Sequence, residues 1–312
     1  MDRFNTLARP PSATARWLSG PDAGPHLPWT AEPLSPGATA ARIERLRSGD
    51  RSAVRKWAPR HEIAALHAAQ TLRPGAAAVP ELIEAGHDRH GTWYTTPEYP
   101  GGPTDTLTGE AIDSLARLHA HFRGRQGEHP GIPAVTTEWW RGLCVFWVLP
   151  AIERHGARHG RGVLVRARSL VGALATEPRV ADVLARITPT LLHGDVHPGN
   201  VLSDGGRTRL IDWGSARFGT PLLDLAAMVP AGSPAFDAYL RAHAAHGEAL
   251  GDREARAGAR WAALQIPVQY LPWQLECAST AEVVEALRSA EAALEEMGGR
   301  AVTGREAGPR RR

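Results

Sequence analysis

Apolar residues recur along this chain with two different periods, and the change from one to the other falls near residue 100. Before it, short runs with strand character dominate. "RIERL" and "SAVRKW" flank the turn "RSGD", so Ile43 to Trp57 reads as a β-hairpin. "HEIAALHAAQTL" carries Ile63, Leu66 and Leu72 at helical spacing and reads as a helix. Val79–Ala85 and Thr92–Thr96 read as two more strands around "HDRHG". Residues 1–33 are rich in proline, glycine and alanine, with one short helix expected at Ala13–Leu18.

After "EYPGG" (Glu98–Gly102), a break rich in proline and glycine, the pattern turns helical. "GEAIDSLARLHAHF" sets Ile112, Leu115, Leu118 and Phe122 along one face. "TTEWWRGLCVFWVLPAIERHG" predicts a largely buried helix with Thr137 as its capping residue. Further helices are expected at 163–176, 178–187, 234–246, 252–273 and 280–297. The tail, 298–312, has no periodicity and is expected to be disordered. The pattern therefore predicts an α+β protein of two lobes. Residues 1–100 form a small antiparallel-sheet lobe, the hinge falls at about 97–101, and 102–297 form a larger, mostly helical lobe.

Composition narrows the function classes. A formal net charge of +3 is too small for a dedicated nucleic-acid face. No run of ~18 apolar residues is present, so no membrane span is expected. "MDRFNTLARP" lacks the apolar core of a signal peptide. Cys144 and Cys277 have no metal-ligand spacing, and a reducing, cytoplasmic setting suits them. Lys56 is the only lysine among many arginines, and no role follows from that alone.

The chemistry gathers in "HGDVHPGNVL", His193 to Leu202. Gly194, Pro198 and Gly199 keep this stretch from being helical. Asn200–Leu202 and Arg209–Ile211 read as the two strands of a hairpin around "SDGGRT", which folds Asp212 back beside Asn200. Asp195 faces the same space. One carboxylate is then available for a proton, and a carboxylate with an amide for a hard cation such as Mg2+ on nucleotide phosphates. His193 and His197, four apart, have zinc-ligand spacing only on a helix, which this segment cannot form.

H-G-D-x-x-x-x-N followed by I-D-W resembles the catalytic and metal loops of the aminoglycoside phosphotransferase and choline kinase-like family of small-molecule kinases. That family shares the bilobal protein-kinase-like fold. "GTPLLDLA" resembles the segment the family places next. The resemblance implies Asp195 as the base that accepts a hydroxyl proton, and Asn200 and Asp212 as ligands of Mg2+. It implies His193 and Asp224 as structural supports of the loop. It further implies a cation on the small sheet reaching the phosphates of ATP or GTP. Ala53-Val54-Arg55 fits the family's A-x-K register with a small residue over the base, so Arg55 is favoured. Val54-Arg55-Lys56 keeps the usual lysine, so Lys56 stays open. Glu62, in the first turn of the next helix, is expected to pair with that cation. "LSPGATAAR" supplies the phosphate-covering loop through Gly37 and Thr39, and the Pro97–Tyr99 backbone, centred on Glu98, reads the base.

Glycine at 194 and the short segment between Asp212 and Asp224 favour a small-molecule hydroxyl acceptor over a protein. An aminoglycoside or similar antibiotic comes first, which implies a role in antibiotic resistance. An amino alcohol or sugar comes second, and a non-catalytic nucleotide-binding pseudokinase is the competing class. Candidates to face a polycationic acceptor are Glu138, Glu276, Glu282 and Asp105. Trp139, Trp140, Trp147, Tyr270 and Trp273 either line a flat ligand or, more simply, pack the helices.

Overall fold

A computed structural model describes residues 13–19, 29–34, 42–73, 78–204 and 207–298. The chain divides into two compact units, residues 1–134 with 189–250 and residues 135–188 with 251–312.

The first unit begins with α1 (Ala13–Ser19) and the strands β1 (Thr30–Leu34), β2 (Ile43–Ser48) and β3 (Arg51–Trp57). Then come α2 (Arg60–Ala69), β4 (Glu84–Asp88) and β5 (Gly91–Pro97). The five strands form one antiparallel sheet in the order β1-β2-β3-β5-β4. Alternation sends Ala53 to one face, where it packs with Leu46 and Leu18 of α1. Lys56 goes to the other. β4 starts later than the pattern predicted. In residues 80–82 the Gln70 side chain takes the polar groups instead, donating to the Pro80 carbonyl and accepting from Leu82 N.

β6 (Gly102–Pro103) leads to α3 (Gly109–Phe122), which starts where Thr108 Oγ1 accepts from Ala111 N. Its apolar face is buried as the spacing requires, each leucine contributing about 2 kcal/mol. The remaining helices before residue 189, α4 (Thr137–Gly142), α5 (Leu149–His155), α6 (Arg161–Leu174) and α7 (Pro178–Leu184), belong to the second unit.

The chain returns to the first unit as β7 (Thr190–Leu192), β8 (Val201–Asp204), β9 (Arg207–Leu210) and β10 (Arg217–Gly219). β7 pairs with β10, and β8 sits between β6 and β9. The predicted hairpin is there, with Val201 opposite Leu210. α8 (Leu222–Leu225) and α9 (Pro234–His246) complete the unit, and α3, α9 and the β8–β9 hairpin share one core that includes Ile112, Leu115, Val201, Leu210 and Tyr239.

The second unit is helical and ends with α10 (Asp252–Cys277) and α11 (Thr280–Gly298). Two expectations need correction here. The capping residue of α4 is Thr136, whose Oγ1 accepts from Trp139 N at 3.1 Å. The predicted single buried helix is interrupted by a π-helical turn at Leu143–Val148. That turn rotates its side chains out of register, leaving Phe146 and Trp147 80% and 60% exposed. The end of the predicted tail, 299–312, lies outside the described residues.

Candidate active site

β3 and α2 bring the first pair of charges together. Glu62, in the first turn of α2, is fully buried, and its Oε1 accepts from Lys56 Nζ at 2.8 Å and from the Tyr94 hydroxyl at 2.8 Å. Lys56 Nζ also donates to Asp212 Oδ1 at 2.6 Å. Burial alone would lower the Lys56 pKa, but Glu62 and Asp212 more than offset it and hold the ammonium above its ordinary value. Burial likewise pushes the Asp212 carboxyl up, and Lys56 brings it below the usual carboxylate range.

The preference for Arg55 is therefore corrected. Arg55 shares its face with Ala53, and its guanidinium lies 4.4 Å over the Trp93 ring and 5.8 Å from that of Trp29. Ala53 is small because α1 packs on it, and Val54 is the residue that shares the face of Lys56.

The turn after β9 places Asp212 in the left-handed region, with φ 62°. Ile211 N donates to the Asn200 carbonyl at 2.9 Å, which sets Asp212 directly after a residue bonded to Asn200. Asn200 Nδ2 donates to both the backbone oxygen and Oδ2 of Asp195, at 3.0 and 3.1 Å. The His197 ring stands 3.6 Å from the same Oδ2. Trp213 is buried, donates from Nε1 to the Leu210 carbonyl, and packs in one core with Leu66 of α2. His61 Nε2 donates to the Gly214 carbonyl at 2.8 Å and ties α2 to the same turn.

Asp224 explains the shape of the loop that begins at His193. Its two oxygens accept from His193 N at 2.8 Å and Gly194 N at 2.7 Å. His193 in turn donates from Nε2 to the Ile211 carbonyl, and its Nδ1 accepts from Asp195 N. Both ring nitrogens are thus spent on backbone, so the zinc reading of this histidine has no lone pair to use. Gly194 has φ 84°, and a Cβ there would collide with the Ser215 carbonyl oxygen. The pattern reading missed two partners. His119 Nε2 donates to Asp224 Oδ2 at 3.2 Å, and the Tyr239 hydroxyl donates to His119 Nδ1 at 2.8 Å. All three side chains are fully buried. Burial raises the Asp224 carboxyl, but the hydrogen bond from His119 leads the effects that bring it below its ordinary value. The spacing places His119, seven positions after Ile112, inside the apolar face of α3, but it does not name Asp224 as its partner.

The remaining expected residues are scattered. Glu98 N donates to the Ser52 carbonyl at 3.1 Å, so this N–H is not open to a base, and its carboxylate pairs with Arg45 at 2.7 Å. Gly37 and Thr39 lie outside the described residues. In the second unit, Glu282 caps Ser279 and Glu138 is hydrogen-bonded at the start of α4, while Trp140 is core against Trp261. Glu276 and, in the first unit, Asp105 are exposed.

Lys56, Glu62, Asp195 and Asp212 line one cavity of about 710 Å³ in the first unit. A strand lysine paired to a helix glutamate, next to an aspartate loop and a second aspartate after a hairpin, is the layout of a kinase-like phosphotransferase fold. The family comparison agrees: the model of the phosphotransferase enzyme family (APH) matches residues 30–264, and the chain belongs to that family. Among curated proteins no sequence match was found. Solved structures similar to this chain include spectinomycin phosphotransferase APH(9)-Ia in complex with ADP and spectinomycin. That match has 14% identity and a TM-score of 0.49, covering 86% of this chain and 92% of that one. The apoenzyme of macrolide 2'-phosphotransferase MphH from Brachybacterium faecium has 19% identity, a TM-score of 0.48 and coverage of 84% and 91%. A thermostable mutant of aminoglycoside phosphotransferase APH(4)-Ia, in ternary complex with AMP-PNP and hygromycin B, has 18% identity, a TM-score of 0.49 and coverage of 87% and 95%. No helix among the described residues is long and apolar enough to cross a membrane.

Proposed function

We propose that this chain transfers the γ-phosphoryl group of ATP or GTP to a hydroxyl of a small molecule, an antibiotic in the first instance and an amino alcohol or sugar in the second. The observation that carries the reading is Lys56 Nζ held between Glu62 Oε1 and Asp212 Oδ1 at 2.8 and 2.6 Å. A buried ammonium fixed by two carboxylates is preorganised to donate to phosphate oxygens. Glu62 and Tyr94 hold it in place.

Asp195 is the proton acceptor. As the hydroxyl oxygen attacks the γ-phosphorus, a carboxylate oxygen of Asp195 takes its proton, and the bond to the bridging oxygen breaks to leave the nucleoside diphosphate. Asn200 Nδ2 orients that carboxylate. The donor set at Asn200 and Asp212 fits magnesium, since both offer hard oxygens and the Asn200 amide turns its nitrogen to Asp195 and its oxygen away. When bound there, magnesium neutralises charge that develops on the phosphates.

The test is a triphosphate-consumption screen across antibiotics, amino alcohols and sugars, with Asp212→Asn as the control. Acceptor-dependent consumption that the variant loses supports the reading. Consumption independent of every acceptor, or unchanged in the variant, removes it.

A further inference from the structure

Three N–H groups converge on the Asp224 carboxylate. Oδ1 accepts from Gly194 N at 2.7 Å, and Oδ2 accepts from His193 N at 2.8 Å and His119 Nε2 at 3.2 Å. Two of these donors belong to the loop that Asp224 shapes. Asp224 itself stands in α8, a helix of four residues, too short to hold a side chain steady by itself. The third donor comes from α3, a helix of fourteen residues whose apolar face is core.

α3 meets the same loop at a second point, through the same residue. Thr190 Oγ1, at the start of β7, donates to the His119 carbonyl at 2.6 Å, and β7 runs directly into His193. The backbone of His119 thus takes the strand that enters the loop, and its ring takes the carboxylate that shapes it.

The chemistry of the partners fixes the ring. A carboxylate oxygen only accepts, so Nε2 carries the proton given to Asp224. Nδ1 is then a lone pair, and the Tyr239 hydroxyl of α9 is its donor at 2.8 Å. His119, Asp224 and Tyr239 are each 0% exposed, so solvent does not compete for these bonds. Without the ring, Oδ2 keeps only His193 N, and the carboxylate can turn about its Cβ–Cγ bond. Such a turn reaches Gly194, whose φ of 84° is held by its bond to Oδ1, and the next residue is Asp195.

We propose that His119 is a positioning residue for Asp195: it acts through Asp224, and Tyr239 keeps its ring proton on Nε2. Being fully buried, it touches no substrate. The inference rests on the phosphotransfer reading for its effect on rate, and on the buried hydrogen bonds for its effect on the loop.

Two variants of the full chain separate the ring nitrogens. The amide of His119→Asn stands near the place of Nδ1 and falls short of Asp224, whereas that of His119→Gln reaches the place of Nε2. NMR reads the loop without any reaction. The amide proton shifts of His193 and Gly194 should move upfield in His119→Asn and return towards wild type in His119→Gln. The 15N shifts of the wild-type ring should show the proton on Nε2 and none on Nδ1. Transfer is then measured with the acceptor that the consumption screen returns. In His119→Asn kcat should fall about 10- to 100-fold with the KM for MgATP within about twofold, and His119→Gln should recover most of it. Leu115→Ala, which opens the α3 core without removing any of these bonds, should lower the urea midpoint and leave kcat within about twofold. Unmoved His193 and Gly194 amides in His119→Asn, a proton on Nδ1, or a loss of kcat that Leu115→Ala reproduces overturns the proposal. Where His119→Asn fails to fold, Tyr239→Phe should move the same two amides in the same direction, less far, and unmoved amides there overturn it equally. If the screen returns no acceptor, the phosphotransfer reading fails, and the amide shifts still decide whether His119 sets the loop.

Discussion

Lys56 and Asp212 are 156 positions apart in sequence and 2.6 Å apart in space. The bond joins β3, the central strand of the small sheet, to the turn after the β8–β9 hairpin. It is also the bond on which the choice between two neighbouring cations turns.

Lys56→Met breaks a buried pair on both sides and leaves Glu62 in the core with only Tyr94. The expected loss of stability is about 3–5 kcal/mol. Arg55→Met removes stacking on Trp93 and Trp29, worth about 1 kcal/mol, and should change nucleotide affinity by no more than about twofold. Urea midpoints and nucleotide titrations of the two variants check this. A silent Lys56 with a disruptive Arg55 would return the register to the other face.

How much of this was legible beforehand depends on the kind of signal. Asp195, Asn200 and Asp212 were readable as a group because glycine and proline forbid a helix through the loop and the hairpin dictates where Asp212 returns. Glu62 was readable from its place in a helix's first turn. The clamp was not, because alternation assigns Arg55 and Lys56 to opposite faces without naming the inner one. The small residue Ala53 pointed the wrong way, since its size answers to Leu18 of α1, a contact from far along the chain. That Lys56 is the one lysine among so many arginines was the unused sign. His119 and Tyr239 were hidden for a different reason. A histidine in an apolar stripe reads as a satisfied core residue, and only the fold shows that what satisfies it is Asp224. The π-helical turn at Leu143–Val148 escaped because periodicity over a continuous apolar run cannot register one inserted residue.

Asp224 is expected to steepen the loss of stability in acid. Its folded pKa lies below the ordinary carboxylate value, so the stability it contributes is full above about pH 4, the unfolded value. That stability is lost as pH falls through the lower, folded value. Asp212 adds to the loss in the same direction. In Asp224→Asn, unfolding followed between pH 5 and 2 should show a shallower fall than in wild type, from a lower starting stability. A slope identical to wild type would place the responsible carboxylate elsewhere.

Gly194→Ala should destabilise by more than the ~1–2 kcal/mol of an ordinary left-handed alanine, because its Cβ also meets the Ser215 carbonyl. Gly49→Ala is the control, with φ 61° and nothing within 4 Å of the new carbon. Denaturant midpoints of the two variants should differ in that order. Equal losses would mean that backbone conformation alone explains both.

Under the proposed function Asp195 should separate phosphoryl transfer from nucleotide binding, because Asn200 orients its carboxylate while Lys56 pairs with Asp212. The decisive measurement is transfer of the γ-phosphoryl group to an accepted hydroxyl compound in wild type and Asp195→Asn, with nucleotide affinity determined on the same preparations. Transfer should fall by about 10²–10⁴-fold, the range of a lost general base, while nucleotide affinity is retained. An Asp195→Asn enzyme that still transfers at the wild-type rate, or that loses nucleotide affinity as completely as Asp212→Asn, would contradict the assignment of the proton to Asp195.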